Sequence, residues 1–102
     1  MGADVEEHVR IAIYTLNQGT AEEAAEIGRR GMLPIFQGQP GFVRYGLILL
    51  DDGSVASVSV WETREEAEAA NASAASWVAE NLADRVELQN THVGDFFFDE
   101  GP

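Results

Sequence analysis

The chain has 102 residues, 45% of them hydrophobic, enough for one domain with its own core but with much surface left exposed. It contains no cysteine, which excludes disulfides, thiolate metal sites and a cysteine nucleophile. Its 18 acids against 6 bases, every base an arginine, give a net charge of -12, the wrong sign for a nucleic-acid or anionic-membrane partner.

No basic-then-apolar leader and no bilayer-length apolar run is present, so a soluble cytoplasmic protein is expected. One domain over residues 1–102 is expected, with Met1–His8 and Asp99–Pro102 flexible. His8 in that polar tail carries no expected role. Val9–Leu16 reads as a first strand. Val9, Ile11 and Ile13 share one face, and Arg10, Ala12, Tyr14 and Leu16 share the other. Apolar residues on both faces predict cover on both sides.

Thr20 and Glu23 have the spacing of a capping box and predict a helix start. Ala24, Ile27, Gly28, Gly31 and Ile35 fall on one helical stripe, facing the sheet. Each glycine costs about 1 kcal/mol relative to alanine, a cost that a close helix–sheet approach would offset. Pro34 predicts a kink or end near Leu33.

Gln37–Gly41 is a cluster of helix breakers leading into a hairpin, Phe42–Glu62, with Asp51-Asp52-Gly53 at its turn. In its second run Val58 and Val60 point one way, and Ser57, Ser59 and Trp61 the other. Thr63 and Glu66 make a second capping box. A helix is predicted to about Ala72, then a short one through Trp77, Val78 and Leu82 to near Asp84, with Asn71, Ser73 and Ser76 weakening the middle. Val86–Phe98 reads as a final strand. The order is strand, helix, strand, strand, helix, strand, the split pattern of a ferredoxin-like α+β fold with an antiparallel sheet. Two helices shield only one face of such a sheet, so a homodimer joined through the other face is expected.

Gln39-Pro40-Gly41-Phe42, Trp61-Glu62-Thr63 and Glu65-Glu66-Ala67, in this order and spacing, resemble the antibiotic biosynthesis monooxygenase-like (ABM) superfamily over Val9–Phe98. The resemblance implies a dimeric α+β barrel with ligands in a cleft between sheet and helices. That superfamily includes cofactor-independent oxygenases of polycyclic aromatics and haem-degrading enzymes. The haem-degrading members use a histidine on the helix after the tryptophan strand. That helix has none here, with Asn71 near the place, so haem binding is the least favoured option. The cofactor-free members use Trp, Asn, Arg and Tyr side chains in the cleft, and Trp61 matches.

The candidate residues each have two readings. Trp61 either stacks on a flat ligand or fills the space between sheet and helix. Trp77 lies among apolar neighbours and reads as a cleft or core residue. Tyr14 and Tyr45 either hold an oxygenated substrate or pack at a dimer seam. His92 is a general base or a seam residue. Arg44 clamps an anionic ligand or pairs with an acid. Asn71 points into the cleft or to solvent. Two distant histidines with no ligand spacing predict no metal site, and no bound cofactor is expected. Trp61, Asn71 and His92 are therefore the catalytic candidates; Tyr14, Arg44, Tyr45 and Trp77 are the ligand-binding ones. The expected function is cofactor-independent oxygenation of a small aromatic or apolar substrate. The alternative is a non-catalytic dimeric module that binds a small ligand or serves only as structure, and a filled cleft would favour it.

Overall fold

The computed structural model describes residues 7–102. The elements are β1 (His8–Leu16), α1 (Ala21–Gln37), β2 (Phe42–Leu49), β3 (Val55–Trp61), α2 (Arg64–Asn81) and β4 (Val86–Asp95). The strands form one antiparallel sheet in the order β2-β3-β1-β4. This is the ferredoxin-like α+β arrangement that the element order predicts. The expected fraying of Met1–His8 lies mostly outside the described residues, but His8 itself opens β1.

Local chemistry sets the element starts. At α1 the Glu23 N–H donates to Thr20 Oγ1 (3.2 Å), and the Thr20 N–H donates back to the Glu23 carboxylate (3.0 Å). Thr63 and Glu66 close the same reciprocal pair at α2. Each cap contributes about 1 kcal/mol. At the hairpin Gly53 adopts φ +89°, a conformation other residues rarely take, and its N–H donates to the Leu50 carbonyl (2.9 Å).

Three predicted boundaries need correction. First, α1 does not end near Leu33. It runs through Pro34 to Gln37, because Met32 and Phe36 are buried and fasten its last turn to the sheet. The buried stripe is accordingly Ala24, Gly28, Met32 and Phe36, with Ile35 turned outward. Second, α2 is one unbroken helix. Ala67, Ala70 and Ala74 bury its inner face, and Ser73 accepts a hydrogen bond from Gln39. Third, β4 ends at Asp95, three residues before the predicted end, and Phe97 and Phe98 are exposed.

The registers decide which face each strand residue occupies. Arg10, Ala12 and Tyr14 of β1 and Ser57, Ser59 and Trp61 of β3 lie beneath the helices. Ile11, Ile13, Val58 and Ile48 lie on the opposite face, where Ile48 is 50% exposed. The core centres on Phe36. Its ring meets Trp61 (5.3 Å) and Tyr45 (5.1 Å) edge-on and Phe42 (6.1 Å) at a tilt. A second cluster joins Ala12, Tyr14, Leu82 and Val86.

Asp95 fastens the sheet's edge. It accepts from His8 Nδ1 (2.6 Å) and from Arg64 Nη1 (3.1 Å), bringing together β1, β4 and α2. The His8 hydrogen bond foremost, aided by the charges of His8 and Arg64 and outweighing desolvation, holds the carboxyl below its ordinary value. A depressed carboxyl stabilises the fold above the pKa of the unfolded chain and loses that contribution as pH falls through the folded value. Asp95→Asn is therefore expected to lower stability at neutral pH and to flatten the acid limb of a pH–stability curve measured by urea melts. Phe36→Ala is expected to cost about 3–5 kcal/mol in the same melts; a loss below about 1 kcal/mol would contradict its central place.

Candidate functional site

β1 pairs on both edges and alternates strictly at its start, so Arg10 is carried to the helix face with no route to water. It is 1% exposed. Its Nε donates to Ser59 Oγ (2.9 Å), its Nη2 donates to Ser57 Oγ (2.7 Å), and its guanidinium carbon stands 5.4 Å from the Phe36 ring centroid. These contacts explain why β3 turns two serines inward. No carboxylate among the described residues lies within ion-pairing distance of it. Desolvation lowers its pKa, yet a guanidinium remains a cation in proteins.

Tyr14 and Tyr45 reach toward the same polar patch from β1 and β2. They are not on adjacent strands, because β3 runs between β1 and β2 and supplies Ser57. Burial raises the pKa of both phenols, opposed by Arg10 at Tyr14 and by the Ser57 hydrogen bond and Arg10 at Tyr45. Both are neutral near pH 7 and so keep a hydroxyl proton to donate. Above them lies a cavity of about 40 Å³ between sheet and helices. Tyr14, Tyr45 and Ser57 are its polar members, and Leu16, Met32, Leu47, Trp77, Val78 and Leu82 make up most of its apolar wall. That volume admits a few waters and no aromatic ring.

Two glycines shape this cleft. A Cβ at Gly28 would stand 3.1 Å from the Tyr45 hydroxyl, so glycine lets α1 approach the sheet there, as its sequence position predicts. Gly31 serves a different contact: a Cβ there would collide with the Trp77 indole of α2. On the outer flank of α1 a shallow groove of about 240 Å³ is lined by Ala25, Arg29, Leu33, Tyr45, Gly46 and Leu47. Tyr45 and Leu47 are common to groove and cavity, and they form the wall between them.

Of the candidates from sequence, Tyr14, Tyr45 and Trp77 meet in the cavity. The others do not join them. Trp61 is wholly buried among Phe36 and Phe42, with its indole N–H donating to Ser59 Oγ (2.9 Å). His92 lies exposed on the face away from the helices, opposite Ile11 and bonded to Asn90 (3.1 Å). Arg44 shares that face with ion pairs to Glu7 (3.4 Å) and Asp99 (3.8 Å). Asn71 lies on α2 with its Oδ1 buried and without a hydrogen-bond donor among the described residues. Arg10, Ser57 and Ser59 form the buried polar cluster at the candidate site that sequence reasoning passed over. A lone arginine in phase with Tyr14, facing a strand with serines in phase with Trp61, was the available signal.

No family model and no curated protein matches the sequence. Solved structures do match by shape. SnoaB from Streptomyces nogalater, described as a cofactor-independent oxygenase, superposes with a TM-score of 0.64 at 23% identity, over 94% of this chain and 96% of that one. A putative antibiotic biosynthesis monooxygenase from Nitrosomonas europaea gives 0.61 at 17% identity, over 94% and 93%. The chain shares the fold of these two proteins. MupZ from Pseudomonas fluorescens also shares it, with a TM-score of 0.65 at 12% identity, over 91% of this chain and 70% of that one. Two helices here cover one side of the sheet and leave the other without helices.

Gly31→Ala is expected to push the Trp77 indole out of its seat and shift tryptophan emission to longer wavelength. The same change made in a Trp77→Phe background should leave the spectrum of buried Trp61 unmoved. An unshifted Gly31→Ala spectrum would show that the indole does not rest on α1.

Proposed function

We propose that this protein binds a small aromatic or apolar molecule carrying an oxygen group in the cleft between sheet and helices, and oxidises it with dioxygen without a bound cofactor. The observation that carries the reading is the convergence of Tyr14, Tyr45 and Ser57 on one patch of an otherwise apolar cavity. An apolar pocket with a few aimed polar groups is the usual form of a small-molecule site. Hydroxyl donors in such a pocket stabilise the anion formed when a phenolic or enolic substrate loses a proton, and that electron-rich anion reduces dioxygen directly. For an activated ring methylene the step balances with dioxygen alone. Both C–H bonds break, a C=O bond forms with one oxygen atom, and the other oxygen leaves as water with the two hydrogens. The carbon gives up four electrons and dioxygen accepts all four. The shared fold with SnoaB supports this chemistry over other ligand classes. Because the cavity is too small for a ring, ring binding requires a wall to move, and the Tyr45–Leu47 wall, shared with the groove outside α1, is the one proposed.

The small volume and the full burial of Trp61 favour a second reading, a dimeric module that binds a ligand without turning it over. Oxygen uptake with a panel of polycyclic phenols whose keto tautomers carry a ring methylene separates the two. The oxygenase reading expects uptake above the spontaneous rate, unchanged by chelators and reduced about 10²-fold in Tyr45→Phe. Binding without uptake would leave only the second.

The quaternary proposal rests on the other face. Ile11, Ile13, Val58 and Ile48 form an apolar surface there without a helix over it, and a second copy of the sheet is the cover proposed. Sedimentation at micromolar concentration should give twice the chain mass, and Ile48→Asp, harmless to a monomer at a half-exposed site, should give a folded monomer. A folded monomer for the unaltered chain would refute the dimer.

A further inference from the structure

Six arginines serve a chain with 18 acids, so an unpaired arginine is the unexpected state. Four of them pair: Arg30 with Glu26, Arg44 with Glu7 and Asp99, Arg64 with Asp95 and Glu68, and Arg85 with Glu23. Among the described residues, Arg10 and Arg29 have no carboxylate partner. They stand on either side of one wall. Arg29 lines the groove outside Tyr45 and Leu47, and Arg10 lies beneath the cavity inside it, bonded to Ser57. These two cations thus mark the two ends of the route by which the cleft would fill.

We infer that the ligand of this cleft is an anion: a flat molecule with a single anionic oxygen group, captured at the rim by Arg29 and seated against Tyr14, Tyr45 and Ser57, with Arg10 supplying the opposing charge from behind. This inference rests on the cleft reading above and specifies its ligand class.

Burying a cation among hydroxyls alone costs several kcal/mol, and no carboxylate among the described residues offsets that cost. The two nearby phenols do not provide the missing charge either, since burial raises the pKa of both and keeps them neutral. An anionic ligand does. Ser57 transmits the charge: its Oγ accepts from Arg10 Nη2, which leaves its own proton to donate toward Tyr45 or the ligand. Arg10 acts through these hydroxyls and is a positioning residue. The negative exterior repels an anion at long range, so capture by Arg29 works against the overall field, and screening by salt relieves that repulsion.

The test uses 4-nitrophenol, whose phenol and phenolate absorb at different wavelengths and which titrates near neutrality, with 4-nitroanisole as its neutral counterpart. The full chain is expected to bind the phenolate at least tenfold more tightly than nitroanisole and to lower the pH at which the bound probe ionises. Arg10→Met replaces a buried ion by an apolar chain of similar length, a change proteins often tolerate. It should abolish both effects, and Arg10→Lys should restore part of the ionisation shift. Ser57→Ala should reduce the shift, which keeps the inference testable should Arg10→Met not fold. Arg29→Ala should weaken capture, most at low salt, and leave the shift in place. Binding of both probes equally, with no change in ionisation, would overturn this inference while leaving the cleft reading intact. Failure of both probes to bind would overturn both.

Discussion

The structure depends on one constraint: β1 is one of the two inner strands of the sheet, paired along both edges, and its alternation puts a guanidinium where water does not reach. Much of the interior follows from satisfying that group. β3 presents serines to the helices where valines would bury more apolar area, because Arg10 needs two acceptors. Phe36 lies against the flat guanidinium and collects Trp61, Tyr45 and Phe42 around itself. The last turn of α1 is held there despite a proline, since releasing it would uncover both Phe36 and the cation.

The elements legible in the sequence are those fixed by neighbours in the chain. The capping boxes at Thr20 and Thr63, the Asp-Gly turn and the strand alternation involve contacts within a few residues, and they formed as read. What was not legible depends on contacts between distant segments. Nothing local shows that Phe36 anchors the helix beyond Pro34, or that Ala67, Ala70 and Ala74 carry α2 across Asn71 and Ser73. The strand faces posed the same problem. Val9–Leu16 is apolar on both sides, so its phase was clear while its orientation was not.

The candidate site divided along similar lines. Tyr14, Tyr45 and Trp77 reach one cavity because the cleft collects the large side chains of three elements. Trp61 is equally large but ends β3 over Phe36, one step outside the cavity. His92 and Arg44 have the phase of the helix-free face, which their strands alone did not reveal. Arg10 was overlooked because an arginine within an apolar strand resembles a single exposed position, and only the flanking strands show that its face is covered.

The clamp at Asp95 has a topological consequence. It sets the start of the first strand directly beside the end of the last, His8 opposite Asp95. The domain is therefore almost a closed ring in space, although its chain is linear. A short peptide bridging those neighbours, with a new opening cut at the exposed turn around Gly53, would reorder the gene while preserving every pairing of the sheet. The order in which the strands are synthesised is thus separable from the architecture they build.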